Sequence, residues 1–195
     1  MRVLLVLAHP AEHSFTAAVA ATAREALLAN GHSVDWLDLH RENFDPRLSA
    51  AEHASYFRNP YNAAAVSTLT ARLAAADALI LVFPQWWFNF PAILKGFFDR
   101  VLAPGVAFAH KPDGGIAPRL TNIHLLYALT STGSPWWVVR LVMGDPVRRL
   151  LKRGIATLCA KGVTFRMATL HDMDRATAEQ RAAHLERVRR LISEI

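Results

Sequence analysis

The stretch Ala78-Leu79-Ile80-Leu81-Val82-Phe83-Pro84-Gln85-Trp86-Trp87-Phe88-Asn89-Phe90-Pro91 joins an apolar run to a cluster of aromatic residues between two prolines. Residues 78–82 are continuously apolar, which is typical of a strand buried on both faces of a parallel sheet. Pro84 and Pro91 each fix φ and lack a backbone N–H, so the sequence predicts a stiff, irregular loop between them. Helical spacing resumes over 92–101. Open α/β sheets bind their ligands at loops that leave the carboxyl ends of central strands.

The aromatic loop, residues 84–91, carries side chains that suit a flat, conjugated ligand better than a sugar or a metal ion. A hydrophobic plug, or a contact between two copies of the chain, would use the same residues. The segment alone therefore leaves a ligand site and a packing role open, and the decision depends on the loops that the fold places beside it.

The remaining sequence alternates between apolar runs and helical spacing. The predicted strands are 2–8, 33–39, 77–83, 122–129 and 163–170. The predicted helices are 14–30, 63–75, 92–101, 138–161 and 177–192. Because strands and helices alternate without a low-complexity linker, we predict one α/β domain over residues 1–195. A doubly wound five-stranded parallel sheet of flavodoxin-like order 2-1-3-4-5, with helices on both faces, fits this size.

Two connections in this arrangement are long. Residues 40–62 form a polar and aromatic insertion, and residues 101–120, rich in Pro and Gly, are predicted to be irregular. An insertion of the first kind is usually functional or faces a partner. The switch point of the sheet lies between the first and third strands, so the loops after strands one, three and four are expected to contact a ligand.

The composition is that of a globular chain with a net charge of +6. Basic residues cluster at 148–153 and 181–190, where leucines at helical spacing favour solvated helix faces over a nucleic-acid surface. The single cysteine, Cys159, cannot form an internal disulfide, and no signal peptide is apparent, which together predict a cytoplasmic protein. His9 and His13 are close but have no third ligand, so no metal site is predicted.

The predicted loop after strand one offers His9, His13, Ser14 and Thr16 at the start of a helix. Unpaired backbone N–H groups and the helix dipole favour a phosphate there. Ordinary capping by Ser14 or Thr16 would need no ligand, but a purely structural strand rarely ends in an imidazole such as that of His9. The loop lacks the glycines of a dinucleotide fingerprint or a Walker loop.

The predicted loop after strand four, residues 130–135, reads Thr-Ser-Thr-Gly-Ser-Pro. Its small residues would let the backbone approach a ligand closely, and Gly133 permits otherwise strained φ values. Turn-forming residues are common in loops. This segment therefore supports a ligand site only because it is the third loop at the same edge of the sheet.

Several segments together carry a family resemblance. They are Leu7–Pro10 with Ser14 and Phe15, Phe44–Pro46 with Leu48, Glu52 and Tyr56, Pro84–Arg100, Gly105–Phe108, and Thr132 with Gly133. With these residues the chain resembles the NAD(P)H:quinone oxidoreductase group of flavodoxin-fold flavoproteins, which includes ancillary oxidoreductases of bacterial potassium-efflux systems. The resemblance runs from the first strand to beyond the fourth, and residues 84–100 are its most specific part.

The resemblance implies a set of flavin contacts. The phosphate and ribityl chain would be surrounded by His9, Ser14, Phe15 and Thr16. The isoalloxazine would be lined, partly through backbone N–H groups, by Pro84, Gln85, Trp86, Trp87 and Phe88. Its pyrimidine side would be closed by Thr130, Thr132 and Gly133. Asp99, on the helix after the aromatic loop, would be structural.

One position departs from the family pattern. Quinone-reducing members place a tyrosine and a histidine after the glycine loop, and the nearest residues here are Trp137 and Met143. Neither can transfer a proton, so no catalytic residue is predicted and the resemblance does not fix quinone as the acceptor. Trp136 and Trp137 fit either a stacking wall for nicotinamide or acceptor, or a dimer interface.

The resemblance implies an enzyme that passes hydride from NAD(P)H, through bound FMN or FAD, to a quinone or similar aromatic acceptor. FMN is favoured over FAD because the chain ends soon after its fifth predicted helix. A homodimer is expected, because the aromatic loop and the insertion would otherwise expose apolar surface. The alternative is a flavin-binding regulatory subunit of a membrane transport system, with little turnover of its own. No nucleic-acid partner is expected.

Overall fold

The computed structural model describes residues 1–58 and 60–195. Its strands are β1 (Arg2–Leu7), β2 (Ser33–Asp38), β3 (Ala78–Gln85), β4 (Phe108–His110), β5 (Ile116–Pro118), β6 (Leu125–Thr132) and β7 (Thr164–Leu170). Five of them form a parallel sheet in the order β2-β1-β3-β6-β7. This order confirms the predicted doubly wound flavodoxin-like sheet and places the switch point between β1 and β3.

The α-helices of the described residues are α1 (Phe15–Ala29), α2 (Ala50–Ser55), α3 (Ser67–Ala74), α4 (Ala92–Val101), α5 (Pro146–Arg153) and α6 (Ala178–Ser193). Short 3-10 turns lie at Ala64–Val66, Ile155–Leu158 and Met173–Arg175, and a π-helical turn lies at Val138–Val142. Among residues 1–58 and 60–195, no helix combines the length and apolar character needed to cross a bilayer.

The central strands are buried on both faces, as their continuous apolar runs predict. Side chains alternate between the two faces along each strand. Leu79 and Leu81 pack on the side of α4, in a cluster that contains Phe97. Ile80 and Val82 pack on the opposite side, with α1 and α6. Helices therefore cover both faces of the sheet and leave its carboxyl edge for the loops.

Two central strands run further than the sequence predicts. β3 ends at Gln85 rather than Phe83, and β6 ends at Thr132 rather than Leu129, with Gln85 paired to Thr132. Pro84 does not end β3 because the pairing with β1 stops at Val82. Beyond that point β3 has a neighbour on one side only, and proline is tolerated in such an edge position.

Two other predictions were wrong in detail. The segment 101–120 is not entirely irregular, because β4 and β5 pair as an antiparallel hairpin within it. The predicted helix 138–161 is broken into a π-helical turn, α5 and a 3-10 turn. The first break falls at Gly144 and Asp145, which both have positive φ (69° and 49°), a conformation that a continuous α-helix does not contain.

The predicted insertion, residues 40–62, contains Asn59, which lies outside the described residues. Its described part includes α2 and packs against α4. Glu52 of α2 and Arg100 of α4 form a buried ion pair of 2.8 Å. Pro46 lies so close to the α4 backbone that a Cβ atom on Gly96 would lie 2.3 Å from it. This part of the insertion therefore has a packing role.

Candidate functional site

The candidate site is a cavity of about 770 Å³ at the carboxyl edge of the sheet, between the segments that follow β1, β3, β6 and β7. Its volume lies within the range of small-molecule sites, roughly 300–1,000 Å³. We call it the switch-point cavity. It is lined by His9, Ser14, Phe15, Thr16, Pro84, Gln85, Trp86, Trp87, Phe88, Ser131, Thr132, Gly133, Ser134, Met173 and Asp174.

The first wall of the cavity is the start of α1. Ser14 is the N-cap, and its hydroxyl accepts the Ala17 N–H at 3.1 Å. Phe15 and Thr16 are the two helix residues before Ala17, and their N–H groups donate to none of the described residues. Unpaired donors and the positive end of the helix dipole face the cavity here, which is an arrangement that favours a phosphate.

His9 stands beside this helix start and contributes a further polar group. Its Nδ1 atom lies 3.0 Å from the Ala11 nitrogen and 3.2 Å from the Ala11 carbonyl oxygen. This edge of the ring is therefore engaged by the backbone, whereas Nε2 has no partner among the described residues and is left for a ligand. The ring also lies 6.1 Å from the Trp86 ring, centroid to centroid, so it links the first wall to the second.

The second wall is a two-residue hairpin rather than an irregular loop. Trp86 and Asn89 exchange backbone hydrogen bonds of 3.1 and 3.0 Å. The two residues between them, Trp87 and Phe88, have φ values of 51° and 56°. We call residues 86–89 the aromatic hairpin. Its turn requires positive φ at both central positions, which Asn and Gly adopt readily and large aromatic residues do not.

The backbone strain at Trp87 and Phe88 is of order 1–3 kcal/mol per residue, and strain of this size collects at ligand sites. Neither residue's N–H donates to another described residue. The hairpin therefore presents two unpaired donors together with its aromatic rings. Hydrophobic side chains in an ordinary plug would not need this backbone conformation.

Gln85 precedes the hairpin and is nearly buried, with 6% of its surface exposed. Its Oε1 and Nε2 atoms are both buried without a hydrogen-bond partner among the described residues. Buried polar atoms are nearly always paired in native proteins. An unpaired amide that lines a cavity indicates a ligand with both an acceptor and a donor at its edge.

The third wall joins the end of β6 to the turn after β7. A Cβ atom on Gly133 would lie 2.3 Å from the Asp174 Oδ2 atom. A side chain at position 133 would therefore displace the Asp174 carboxylate from its present place against the β6 loop. The Asp172 N–H also donates to the Ser134 carbonyl at 3.0 Å, which fixes the turn against the β6 loop.

Behind the first wall, His184 of α6 lies 6.0 Å from the Phe15 ring, centroid to centroid. Burial lowers the pKa of His184 to about 4, and the positive charge of Arg187 acts in the same direction. The imidazole is neutral at pH 7 and adds no charge to the helix start. The anion preference of this wall thus comes from backbone donors.

A second cavity, of about 590 Å³, lies between α1 and the edge strand β2 and shares His9 with the first. Its two arginines already have partners: Arg41 pairs with Glu12, and the Arg24 guanidinium lies 5.6 Å from the Trp36 ring centroid. It receives no residue from the loops after β3 or β6. The switch-point cavity is therefore the better candidate.

Comparison with known proteins places the chain in a family. A family model described as a flavodoxin-like fold matches residues 1–192. The chain belongs to this family. An uncharacterised NAD(P)H oxidoreductase of Haemophilus influenzae is 38% identical over 138 residues, 69% of this chain and 65% of that protein. The chain spans between about half and two thirds of the length of the curated relatives it matches.

Solved structures of flavodoxin-like proteins agree with this membership. The NAD(P)H:quinone oxidoreductase of Methanothermobacter marburgensis superposes with a TM-score of 0.84 at 28% identity, over 99% of this chain and 98% of that one. These relatives confirm the predicted resemblance to the NAD(P)H:quinone oxidoreductase family. An FMN-dependent NADH-azoreductase of Bacillus anthracis, solved in complex with FMN, shares the fold with a TM-score of 0.78 at 15% identity. It covers 99% of this chain and 98% of its own.

The flavodoxin-like fold brings together all but one of the residues that the sequence singles out for flavin. Thr130 is the exception: it is buried one position deeper in β6, paired with Phe83 and Thr169, and does not line the cavity. Its placement in a loop was wrong because β6 runs to Thr132. The residues Trp137 and Met143, at the positions of the family's tyrosine and histidine, do not line the cavity either.

The structure adds four lining residues that the sequence reasoning did not select: Ser131, Ser134, Met173 and Asp174. The first two lie in the loop that the sequence identifies, beside residues that were selected. Met173 and Asp174 follow β7, whose carboxyl end meets the same sheet edge. That topological fact was available from the predicted order, but no local pattern distinguishes this turn from any other.

Among the described residues, no group of three or more His, Cys, Asp or Glu side chains is arranged to hold a metal ion.

Proposed function

We propose that this protein is a flavin-dependent NAD(P)H oxidoreductase that binds FMN in the switch-point cavity and reduces a quinone or similar aromatic acceptor. The observation that carries the proposal is the buried, unpaired amide of Gln85 beside the unpaired N–H groups of Trp87 and Phe88. These groups need a planar ligand with hydrogen-bonding atoms along one edge.

The lining residues fit FMN in two parts. The helix start at Phe15 and Thr16, with His9, suits a phosphate. Gln85 and the aromatic hairpin suit the polar edge and the face of a conjugated ring. FMN is preferred over FAD because an azoreductase with the same fold was solved in complex with FMN.

A flavin bound there supplies hydride acceptance from NAD(P)H and hydride donation to an acceptor. The residues of the chain position and stabilise it. The N–H groups of Trp87 and Phe88 and the Gln85 amide stabilise negative charge on a bound ring, because donors fixed in advance cost no reorganisation. The aromatic rings exclude water from one side. His9 and Asp174 are the lining side chains that can hold a proton near an acceptor.

We further propose that the protein acts as a homodimer. Trp87 is 95% exposed, and Trp136, Trp137, Leu141 and Val142 are exposed as well. Large apolar side chains near the mouth of a ligand cavity favour a covering partner, and a second copy would complete the site. Sedimentation of the FMN-loaded protein is expected to give a dimer at micromolar concentration, and a monomer would contradict the proposal. Cytoplasmic location stays a prediction.

The test is the absorption spectrum of the purified protein with FMN, before and after anaerobic addition of NADPH or NADH. We expect FMN to bind and its visible band to bleach. A bound band that persists would favour the alternative, a regulatory subunit or electron carrier, which the absence of the family tyrosine and histidine supports. A protein that does not bind FMN would contradict the assignment of the cavity.

A further inference from the structure

A small cavity of about 170 Å³ lies at the carboxyl end of β7, next to the switch-point cavity. Three arginines from three different elements meet in it: Arg140 from the π-helical turn, Arg148 from α5 and Arg187 from α6. Trp136, Asp145 and His171 also line it. We call it the basic cavity. Its size admits a small group and excludes a nucleoside.

The charges in the basic cavity are not balanced. Asp145 is the acidic residue among its described lining residues, so three guanidinium groups share one carboxylate. Within the described residues, none of the three arginines forms an ion pair of 4.0 Å or less. Arg148 instead lies over the Phe165 ring, 5.5 Å from its centroid, which fixes the direction of its side chain. Guanidinium groups that converge without partners are a common way to bind phosphate.

His171 gives a second, independent indication of a ligand. Its Nδ1 atom is buried and has no hydrogen-bond partner among the described residues. Burial lowers the pKa of His171, and the charges of Arg140 and Arg187 act in the same direction although Asp145 opposes them. The cavity thus holds a buried ring atom without a partner beside an excess of positive charge. A bound anion would supply the missing partner.

The basic cavity lies close to the switch-point cavity. The hydrogen bond from the Asp172 N–H to the Ser134 carbonyl joins the two loops that separate them. Ser134 lines one cavity and Trp136, two residues later, lines the other. Two residues span at most ~7 Å of chain. The linings of the two cavities therefore approach within ~7 Å of each other at this point, which is less than the length of a dinucleotide.

We propose that the basic cavity is a phosphate-binding site that takes the 2′-phosphate of NADPH. The proposal rests on the proposed function, since it assigns the nicotinamide nucleotide to the adjoining cavity. The same chemistry would also recognise free inorganic phosphate, and the experiment separates the two sources. Arginine next to a nucleotide site is the usual means by which proteins accept a 2′-phosphate.

The first arm compares NADPH and NADH as reductants of the FMN-loaded protein. The variants are Arg187→Gln and Arg148→Gln, with Arg149→Gln as the control because Arg149 is adjacent on α5 but does not line the cavity. A lost charge-assisted contact is expected to lower kcat/KM for NADPH about tenfold. The value for NADH is expected to stay unchanged, as are both values in the control. Equal losses for the two nucleotides would contradict the assignment to the 2′-phosphate.

The second arm needs neither flavin nor turnover. Binding of inorganic phosphate to the purified chain is measured by calorimetric titration at constant ionic strength. We expect weak binding that Arg187→Gln and Arg148→Gln reduce and Arg149→Gln does not. One outcome would contradict the assignment to NADPH: the arginine variants weaken phosphate binding but change kcat/KM for NADPH and NADH equally. The site would then bind free phosphate. Absence of both effects would overturn the site itself. A protein that binds phosphate but not FMN would refute the proposed function alone.

Discussion

Glu52 and Gln85 are two polar side chains of nearly equal burial, 2% and 6% exposed, in regions with opposite requirements. Glu52 accepts hydrogen bonds from the Ser49 N–H at 2.8 Å and the Arg100 Nε–H at 2.9 Å. Gln85 has no partner for either amide atom among the described residues. The first arrangement is complete within the chain. The second becomes complete when a ligand binds.

The backbone of the two regions shows the same difference. Around Glu52, the segment that contains Pro46 packs directly on Gly96 of α4, with no room for a methyl group. Around Gln85, the aromatic hairpin keeps Trp87 and Phe88 at positive φ. Close packing stabilises the first region, whereas the second retains strain and unpaired donors. Substitutions in the two regions should therefore separate stability from ligand binding.

The largest effect is expected from Arg100→Met, which leaves Glu52 buried without its cation. Removal of one partner of a buried pair typically lowers the free energy of unfolding by about 3–5 kcal/mol. Urea unfolding of the purified protein measures it. The folded fraction should still bind FMN with unchanged affinity, because Arg100 does not line the switch-point cavity.

The control is Arg47→Met, which removes the exposed ion pair between Arg47 and Asp45. Exposed pairs contribute little, so no measurable change is expected. If both variants lost the same stability, the burial of the Glu52–Arg100 pair would not be the cause.

The same pair should make the protein sensitive to acid. Burial acts to raise the pKa of Glu52, but hydrogen bonds from Ser49 and Arg100 outweigh it and hold the pKa below its ordinary value of 4.5. The stabilisation is complete above that value and is lost as pH falls through the lower, folded-state pKa. Below about pH 4.5, unfolding free energy should fall more steeply in the wild type than in Glu52→Gln. Parallel curves would show that Glu52 does not titrate differently on folding.

The sequence predicts most of the ligand-binding region around Gln85, at the carboxyl edge of the sheet. It predicts little of the packed region around Glu52. Continuous apolar runs identify the central strands, and strand order then brings the loops after β1, β3 and β6 together. The pairing of Glu52 with Arg100 joins residues 48 positions apart, and no local pattern encodes it. Thr130 was misplaced because the end of a strand depends on its neighbours in the sheet. The positive φ of Trp87 and Phe88 also escaped prediction, since aromatic residues disfavour that conformation.

The next effect in size is expected from Gln85→Leu, which replaces the unpaired amide with an apolar side chain. FMN affinity should fall about tenfold or more, because a buried hydrogen bond to the ligand is lost. The free energy of unfolding should not fall, since no contact within the described protein depends on the amide. Fluorescence titration with FMN and urea unfolding measure the two quantities.

Thr130→Val is the matched control for that variant. Thr130 is as buried as Gln85, but its hydroxyl lies 3.4 Å from the Ser131 carbonyl and it does not line the cavity. It should leave FMN affinity unchanged and lower stability by about 1 kcal/mol at most. A loss of FMN affinity in Thr130→Val would restore the role that the family resemblance gave it. Unchanged affinity in Gln85→Leu would remove the main support for the flavin site.

The smallest effect is expected from the double variant Trp87→Asn with Phe88→Gly, which converts the aromatic hairpin to the sequence that its turn prefers. Relief of the positive-φ strain should raise the free energy of unfolding by about 1–2 kcal/mol in total, because the added glycine also raises the entropy of the unfolded chain and offsets part of the gain. FMN affinity should fall at the same time, since the cavity loses two aromatic side chains. Trp137→Asn is the control: Trp137 is half exposed, but its φ is −70°, so it carries no strain to relieve. A double variant with higher stability and higher FMN affinity would contradict the proposed role of the hairpin. The aromatic residues would then contribute to neither folding nor FMN binding.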